Sequence, residues 1–146
     1  MNASGGPTVL VVDDDRSLRR LLEVMLRHGG FTPVVAGNAA EAFRLLVGPP
    51  PLRAAAAVLD ARLPDEHGID LAGRLVDAPA TADLPICFLT GSIRDGHPPL
   101  AGIATLSKPC TLAELVTAVQ GLLAGPRAAA ADRHAALDRL RARLLL

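Results

Sequence analysis

Asp13, Asp14, Asp60, Thr90 and Lys108 are the residues whose types combine into a recognisable chemistry. Each stands where a short apolar run stops: VLVV at Asp13 and Asp14, AAVL at Asp60, ICFL at Thr90, and IATLS at Lys108. If those runs are neighbouring parallel strands, their carboxyl ends gather at one end of the sheet, where open α/β folds place their ligands. Adjacent carboxylates at Asp13 and Asp14, facing Asp60, form a negative cluster that is costly unless a cation neutralises it. Mg²⁺ is the natural guest, since it takes a few hard carboxylate oxygens, keeps several waters and bridges to phosphate oxygens. Thr90 supplies a hydroxyl donor and Lys108 a compact ammonium for incoming phosphoryl charge. An acidic nucleophile, a metal, a hydroxyl and a lysine suit phosphoryl transfer to a carboxylate. The chain uses fourteen arginines and a single lysine, and that lysine is Lys108. A compact ammonium is wanted there.

The elements that must position these groups follow from apolar spacing. After VLVV, the series Leu18, Leu21, Leu22, Met25 and Leu26 marks one face of a helix that stops at Gly29-Gly30. FTPVV reads as a second strand, and Asn38 with Glu41 forms a capping-box-like start for a helix through Leu46. AAAAVLD is the third strand, followed by a loop with Pro64 and Gly68 and a helix carrying Ile69, Leu71, Ala72, Leu75 and Val76. PICFLT is the fourth strand, and IATLS the fifth. Thr111 and Glu114 open a last helix whose face is Leu112, Leu115, Val116, Val119, Leu122 and Leu123. Between Gly91 and Gly102 the helical signal is poor, because Pro98-Pro99 interrupts it, so a short or distorted helix is expected. Five alternating units imply a three-layer α/β fold with a parallel sheet.

Composition agrees with that architecture. Half of the residues are hydrophobic but only 2% are aromatic, so the core must be built from Ala, Val, Leu and Ile, which suits buried parallel strands. At 146 residues one domain with a modest tail fits: a main domain over 1–125 and a helical extension over 126–146. In the extension, Leu137, Leu140 and Leu144 recur at helical spacing, and the stripe is read either as fraying in solvent or packing on its own domain, or as a homodimer contact. Equal numbers of basic and acidic residues give no general pull toward nucleic acid or anionic lipid. Cys87 and Cys110 form no metal or disulfide framework, and MNASGGPT lacks the regions of a signal peptide, so a cytoplasmic location is expected. No apolar stretch is long enough to span a bilayer. His28, His67, His97 and His134 show no ligand spacing and read as surface residues, and Cys87 as core.

Four motifs, in order, carry a resemblance: VLVVDDD, the LDxxLPxxxG pattern of Asp60, Leu63, Pro64 and Gly68, LTG around Thr90, and SKP around Lys108. Over about residues 8 to 124 the chain resembles the receiver domain of two-component response regulators, the CheY-like family. The resemblance implies a flavodoxin-like, doubly wound five-stranded sheet of order 2-1-3-4-5. It also implies that Asp60 accepts a phosphoryl group from the phosphohistidine of a histidine kinase or phosphotransfer protein. Asp14, Asp60 and the Arg62 backbone carbonyl would bind Mg²⁺, with Asp13 acting through water, while Thr90 and Lys108 grip the phosphoryl oxygens. The output would be a changed protein-binding surface for a downstream protein, with no direct nucleic-acid contact and no ATP use by the chain.

Two departures stand out. Thr105 occupies the position three before the lysine where the family usually carries an aromatic, and the Thr90-to-Lys108 interval is short. The usual output side is altered. Arg62, two residues after Asp60, is either a solvated side chain or a cation that obstructs the hydrolytic water, and the second reading implies a long-lived phosphorylated state. A receiver-like interaction module that takes no phosphate is the main alternative. A haloacid-dehalogenase-like phosphatase fits Asp13-x-Asp15 but requires a further acidic pair after the lysine, where only the widely spaced Glu114, Asp132 and Asp138 follow. A stand-alone regulator, or a receiver cut from a hybrid kinase, is expected.

Overall fold

The computed structural model describes residues 5–91 and 97–144, with only the backbone described at 97 and 98. Strand β1 (Thr8–Val12) leads into α1 (Arg16–His28), β2 (Thr32–Ala36) into α2 (Ala39–Val47), and β3 (Ala56–Asp60) into α3 (Gly68–Asp77). Then come β4 (Ile86–Thr90), β5 (His97–Leu100), β6 (Ile103–Ser107), α4 (Leu112–Ala124) and α5 (Ala130–Leu144). The sheet order is β2-β1-β3-β4-β6-β5, and every pairing is parallel except the last. Its parallel part, β2-β1-β3-β4-β6, is the expected five-stranded arrangement, and β5 adds an antiparallel edge.

Central strands β3 and β4 are buried along their whole length, as strands covered on both faces must be. One face packs Leu22 and Leu26 of α1 and Leu115 and Val119 of α4 against Val9, Val11, Val58 and Cys87. The other packs α2, α3 and α5 against Leu10, Leu59, Ile86 and Phe88. The helix starts follow their sequence signals. Asp15 accepts from Leu18 N, Asn38 accepts from Glu41 N, and Thr111 with Glu114 forms a complete capping box.

The segment between β4 and β6 departs from the sequence expectation. In place of a short or distorted helix, residues 97–100 form an edge strand hairpinned to β6; residues 92–96 of that expectation lie outside the described residues. Leu100 pairs with Ile103 across a two-residue turn in which Ala101 (φ 55°) and Gly102 (φ 75°) both have positive φ, as a type I′ hairpin requires. Pro98 and Pro99 break a helix but are tolerated in an edge strand.

Helix α5 covers the sheet face where the expected helix would have packed. Arg133, near its start, donates to the carbonyls of Ala101 (2.9 Å), Ala82 (2.5 Å) and Leu84, at the amino ends of β6 and β4. Arg141, near its end, pairs with Asp70 in the first turn of α3 at 2.7 Å, just past the loop leaving the carboxyl end of β3. The helix therefore runs alongside the strands in their own direction, toward the end that carries the acidic residues. Its stripe of Leu137, Leu140 and Leu144 is buried in the α2–α3 face of the core. Of the two readings of that stripe, the structure uses it for packing on its own domain.

Candidate functional site

The five reactive residues converge at the carboxyl ends of the parallel strands. Asp13 follows β1, Asp60 ends β3, Thr90 ends β4, and Lys108 follows β6. Asp13, Asp60 and Thr90 are buried, whereas Asp14 is exposed. Lys108 reaches both buried carboxylates: its Nζ is 3.0 Å from Asp60 Oδ2 and 3.2 Å from Asp13 Oδ2. A cavity of about 330 Å³ opens beside them, lined by Asp60, Ala61, Arg62, Thr90, Gly91 and Lys108.

Backbone groups hold the carboxylates in place. The Asp15 N–H donates to Asp13 Oδ1 at 2.8 Å, and the Arg62 N–H donates to Asp60 Oδ1 at 3.0 Å. On the strand side, the Lys108 N–H donates to the Thr90 carbonyl at 2.9 Å, which ties the lysine loop to the end of β4. Arg19 of α1 donates from Nη1 to the Asp13 carbonyl at 2.8 Å. Gly68 has a steric role. A Cβ there would stand 2.2 Å from the Asp60 carbonyl oxygen, so the glycine of the LPxxxG pattern lets α3 start directly beneath the acidic site.

The electrostatics follow from burial and pairing. Burial pushes the Asp13 carboxyl above its ordinary range, with the Asp60 charge adding to the rise; the Asp15 N–H and Lys108 oppose it without reversing it. Burial disfavours the Lys108 ammonium, but Asp60 and Asp13 outweigh that cost and hold its pKa above the usual lysine value. The lysine is a fixed positive charge.

Carboxylate oxygens of Asp13, Asp14 and Asp60 lie within 4.8 Å of one another. Three hard anionic oxygens at one sheet end fit a small divalent cation such as Mg²⁺, and the exposed Asp14 leaves room for the waters that this ion retains. Arg62, predicted as a carbonyl ligand, lies at the same rim; its side chain is exposed and its backbone bridges to His67 across the loop. Cys87 is fully buried, which pushes its thiol up to about 12, as a core cysteine. His134 pairs with Asp77 at 2.8 Å on the surface, His28 and His67 are exposed, and the His97 side chain lies outside the described residues.

Two structural residues escaped the sequence reading. Asp65, in the loop after β3, accepts from the Ala39 and Ala40 N–H groups of α2. Arg133 is buried, in an alanine- and arginine-rich stretch where nothing in the sequence singles it out. Neither contact has a signature in linear spacing.

The chain is similar to known proteins. The family model described as the response regulator receiver domain matches residues 9–120. The phosphate regulon transcriptional regulatory protein PhoB of Pseudomonas aeruginosa is 31% identical over 123 residues, 81% of this chain and 52% of PhoB. The chain thus spans about half the length of that regulator. A sensor protein from Polaromonas sp. JS666 superposes with a TM-score of 0.70 at 27% identity, over 80% of this chain and 95% of that one. The receiver domain of the sensor histidine kinase PA1611 of P. aeruginosa PAO1, solved with a magnesium ion coordinated in its active site cleft, superposes with a TM-score of 0.69 over 82% of this chain and 99% of that one. At 22% identity the latter likeness is one of fold. With the family match covering most of the chain and the acidic, hydroxyl and lysine groups gathered at one sheet end, the protein belongs to the response regulator receiver domain family of two-component signalling.

Proposed function

We propose that Asp60 is the phosphoacceptor of a two-component system or phosphorelay, and that its phosphorylation alters a protein-binding surface. The observation that carries this reading is the placement of the single lysine between two buried carboxylates, 3.0 Å from Asp60 and 3.2 Å from Asp13, at the rim of a cavity that Thr90 also lines. A carboxylate oxygen of Asp60 attacks the phosphorus of a phosphohistidine on a histidine kinase or phosphotransfer protein. The P–N bond breaks, the imidazole departs with the electron pair, and an aspartyl phosphate remains. Lys108 offsets the charge that arrives, and the Thr90 hydroxyl donates to a phosphoryl oxygen. Asp13, Asp14, Asp60 and the Arg62 carbonyl would hold Mg²⁺, which when bound neutralises charge shared between the carboxylates and the phosphoryl oxygens. Water attack on the same phosphorus reverses the modification, so the domain promotes both its own loading and its own clearing.

The output differs from the usual one in kind of element. Thr105, paired with His97 of β5, stands where the family's aromatic would swing, and α5 fills the place of the expected helix. The downstream surface proposed here includes α5, and the occupant is a protein. Zero net charge favours neither nucleic acid nor membrane, no described helix is long and apolar enough to cross a bilayer, and a cytoplasmic setting is proposed. The test is incubation with acetyl phosphate and Mg²⁺, read by intact mass. Gain of one phosphoryl group by the wild type and none by Asp60→Asn is expected. An unmodified wild type that also fails to bind beryllofluoride at Asp60 would overturn the reading in favour of a phosphate-independent interaction module.

A further inference from the structure

The loop that carries Arg62 is closed at its base, where the Ala61 N–H also bonds to the Leu89 carbonyl of β4 and Leu63 packs on the core, and beyond that two acidic side chains tie it to neighbouring helices. Within the loop, Gly68 N–H bonds to the Ala61 carbonyl at 2.9 Å, Leu63 N–H to the Glu66 carbonyl at 3.2 Å, and Arg62 bridges to His67. Outward, Glu66 pairs with Arg74 of α3, whose guanidinium lies 4.5 Å over the ring of Phe43 in α2. The second tether is Asp65. Its Oδ1 accepts from Ala39 N at 3.0 Å and its Oδ2 from Ala40 N at 2.9 Å, so one carboxylate clamps the first turn of α2 from 25 residues away in sequence. With Asn38 accepting from Glu41 N, the N–H groups of Ala39, Ala40 and Glu41 are all satisfied, two of them by a residue of a different loop.

We infer that Asp65 is a positioning residue for the metal and phosphoryl site: through its bidentate grip on α2 it fixes the loop whose Arg62 N–H bonds to Asp60 and whose Arg62 carbonyl is the proposed metal ligand. The inference rests on the phosphoacceptor reading for its functional consequence. The chemistry is that of an outer-shell partner, which orients a ligand it does not replace. A helix amino terminus is a strong partner for a carboxylate, since two aligned N–H donors and the helix dipole both favour the negative charge. The backbone bonds from Ala39 and Ala40 accordingly hold the Asp65 carboxyl below its ordinary range. Without the Asp65 grip, the loop keeps its base closed by the Ala61–Gly68 bond and keeps its Glu66–Arg74 pair, while its Arg62 segment loses its fixed position relative to the start of α2. Mg²⁺ then has to order the loop as it binds, and its apparent affinity falls.

The experiment uses the full chain with Mg²⁺ as the probe, by calorimetry and as the Mg²⁺ dependence of phosphorylation by acetyl phosphate. Asp65→Ala should raise the half-saturating Mg²⁺ concentration about tenfold, with the rate at saturating Mg²⁺ within about twofold of wild type. Asp65→Asn, which keeps one carbonyl acceptor and serves if the alanine variant folds poorly, should fall between. A variant that only lost folded protein would lower the amplitude and leave the half-saturation point where it was. A wild type that is phosphorylated, with a Mg²⁺ midpoint unchanged in both variants, overturns this inference and leaves Asp60 as acceptor. A wild type that is not phosphorylated, with calorimetric Mg²⁺ affinity still weakened in Asp65→Ala, overturns the phosphoacceptor reading and leaves the positioning role. Absence of Mg²⁺ binding by the wild type overturns both.

Discussion

Lys108 Nζ lies 3.0 Å from Asp60 Oδ2, with Asp13 Oδ2 3.2 Å away on its other side, so one side chain screens two buried carboxylates from each other. Without it, the partners left to the two carboxylates among the described contacts are the backbone N–H groups of Asp15 and Arg62. Lys108→Met should therefore destabilise the metal-free protein by about 1–2 kcal/mol, less than a fully buried broken pair because part of the lysine is in contact with water. Added Mg²⁺ should recover more stability in the variant than in the wild type, since it supplies the missing positive charge. Thermal melts with and without Mg²⁺ check this. Equal Mg²⁺ shifts in the two proteins would show that the lysine does not screen the pair.

Arg62 is exposed at the rim of the Asp60 cavity, two residues past Asp60. If Asp60 carries a phosphoryl group, a guanidinium at that rim would obstruct a water approaching the phosphorus and would be attracted to the phosphoryl oxygens. Arg62→Asn should shorten the lifetime of the aspartyl phosphate severalfold. Loss of the phosphoryl mass with time, after removal of the donor, measures it, and identical lifetimes in the two proteins would make Arg62 an ordinary solvated side chain.

Asp65 gives a pH dependence with a defined sign. Its folded pKa lies below the ordinary carboxylate value because the Ala39 and Ala40 N–H groups bond to the ionised form. The stability it contributes is thus complete above the unfolded pKa and is lost as pH falls through the lower, folded value. The stability difference between wild type and Asp65→Asn should be constant near neutral pH and shrink on acidification below pH ~4. Urea unfolding across that range is the measurement, and a difference that grows on acidification would contradict the assignment.

The strand order and the five reactive residues were legible because each strand ends on a residue of distinctive chemistry, and parallel strands bring such ends together whatever the loop lengths. Asn38, Thr111 and Glu114 announced their helices through contacts three residues away. What stayed hidden depends on distance. The grip of Asp65 on Ala39 and Ala40 spans 25 and 26 positions, and nothing in the Pro64–Gly68 pattern says which helix its carboxylate faces. The β5 strand was masked by its own composition, since Pro98-Pro99 argues against both helix and central strand and only the sheet edge accommodates it. For α5, the leucine stripe was visible, but its destination, the sheet face it shares with α2 and α3, is a property of the whole fold.

Arg133 tests how firmly α5 is held on that face. It is buried to 1% exposure, and its guanidinium donates to three carbonyls, from Ala82, Leu84 and Ala101, that belong to no helix or strand ladder. Burial lowers the pKa of the guanidinium while the Asp83 carboxylate opposes that shift, and at ordinary pH it stays charged, its desolvation offset by those three acceptors with the Asp83 charge adding to them. Arg133→Met keeps the apolar stem and orphans the acceptors, which should cost about 3 kcal/mol. Arg133→Lys should recover little of it, because an ammonium cannot reach three carbonyls arranged around a planar fork. Since Ala101 sits in the β5–β6 turn and Leu84 precedes β4, the loss should also loosen the edge hairpin. Hydrogen exchange at Leu100 and Ile103 should then accelerate in Arg133→Met, while exchange at Leu10 and Val58 in the sheet centre should rise only by as much as global stability falls. Uniform acceleration across all four amides would mean that α5 and the hairpin unfold with the domain as a single unit.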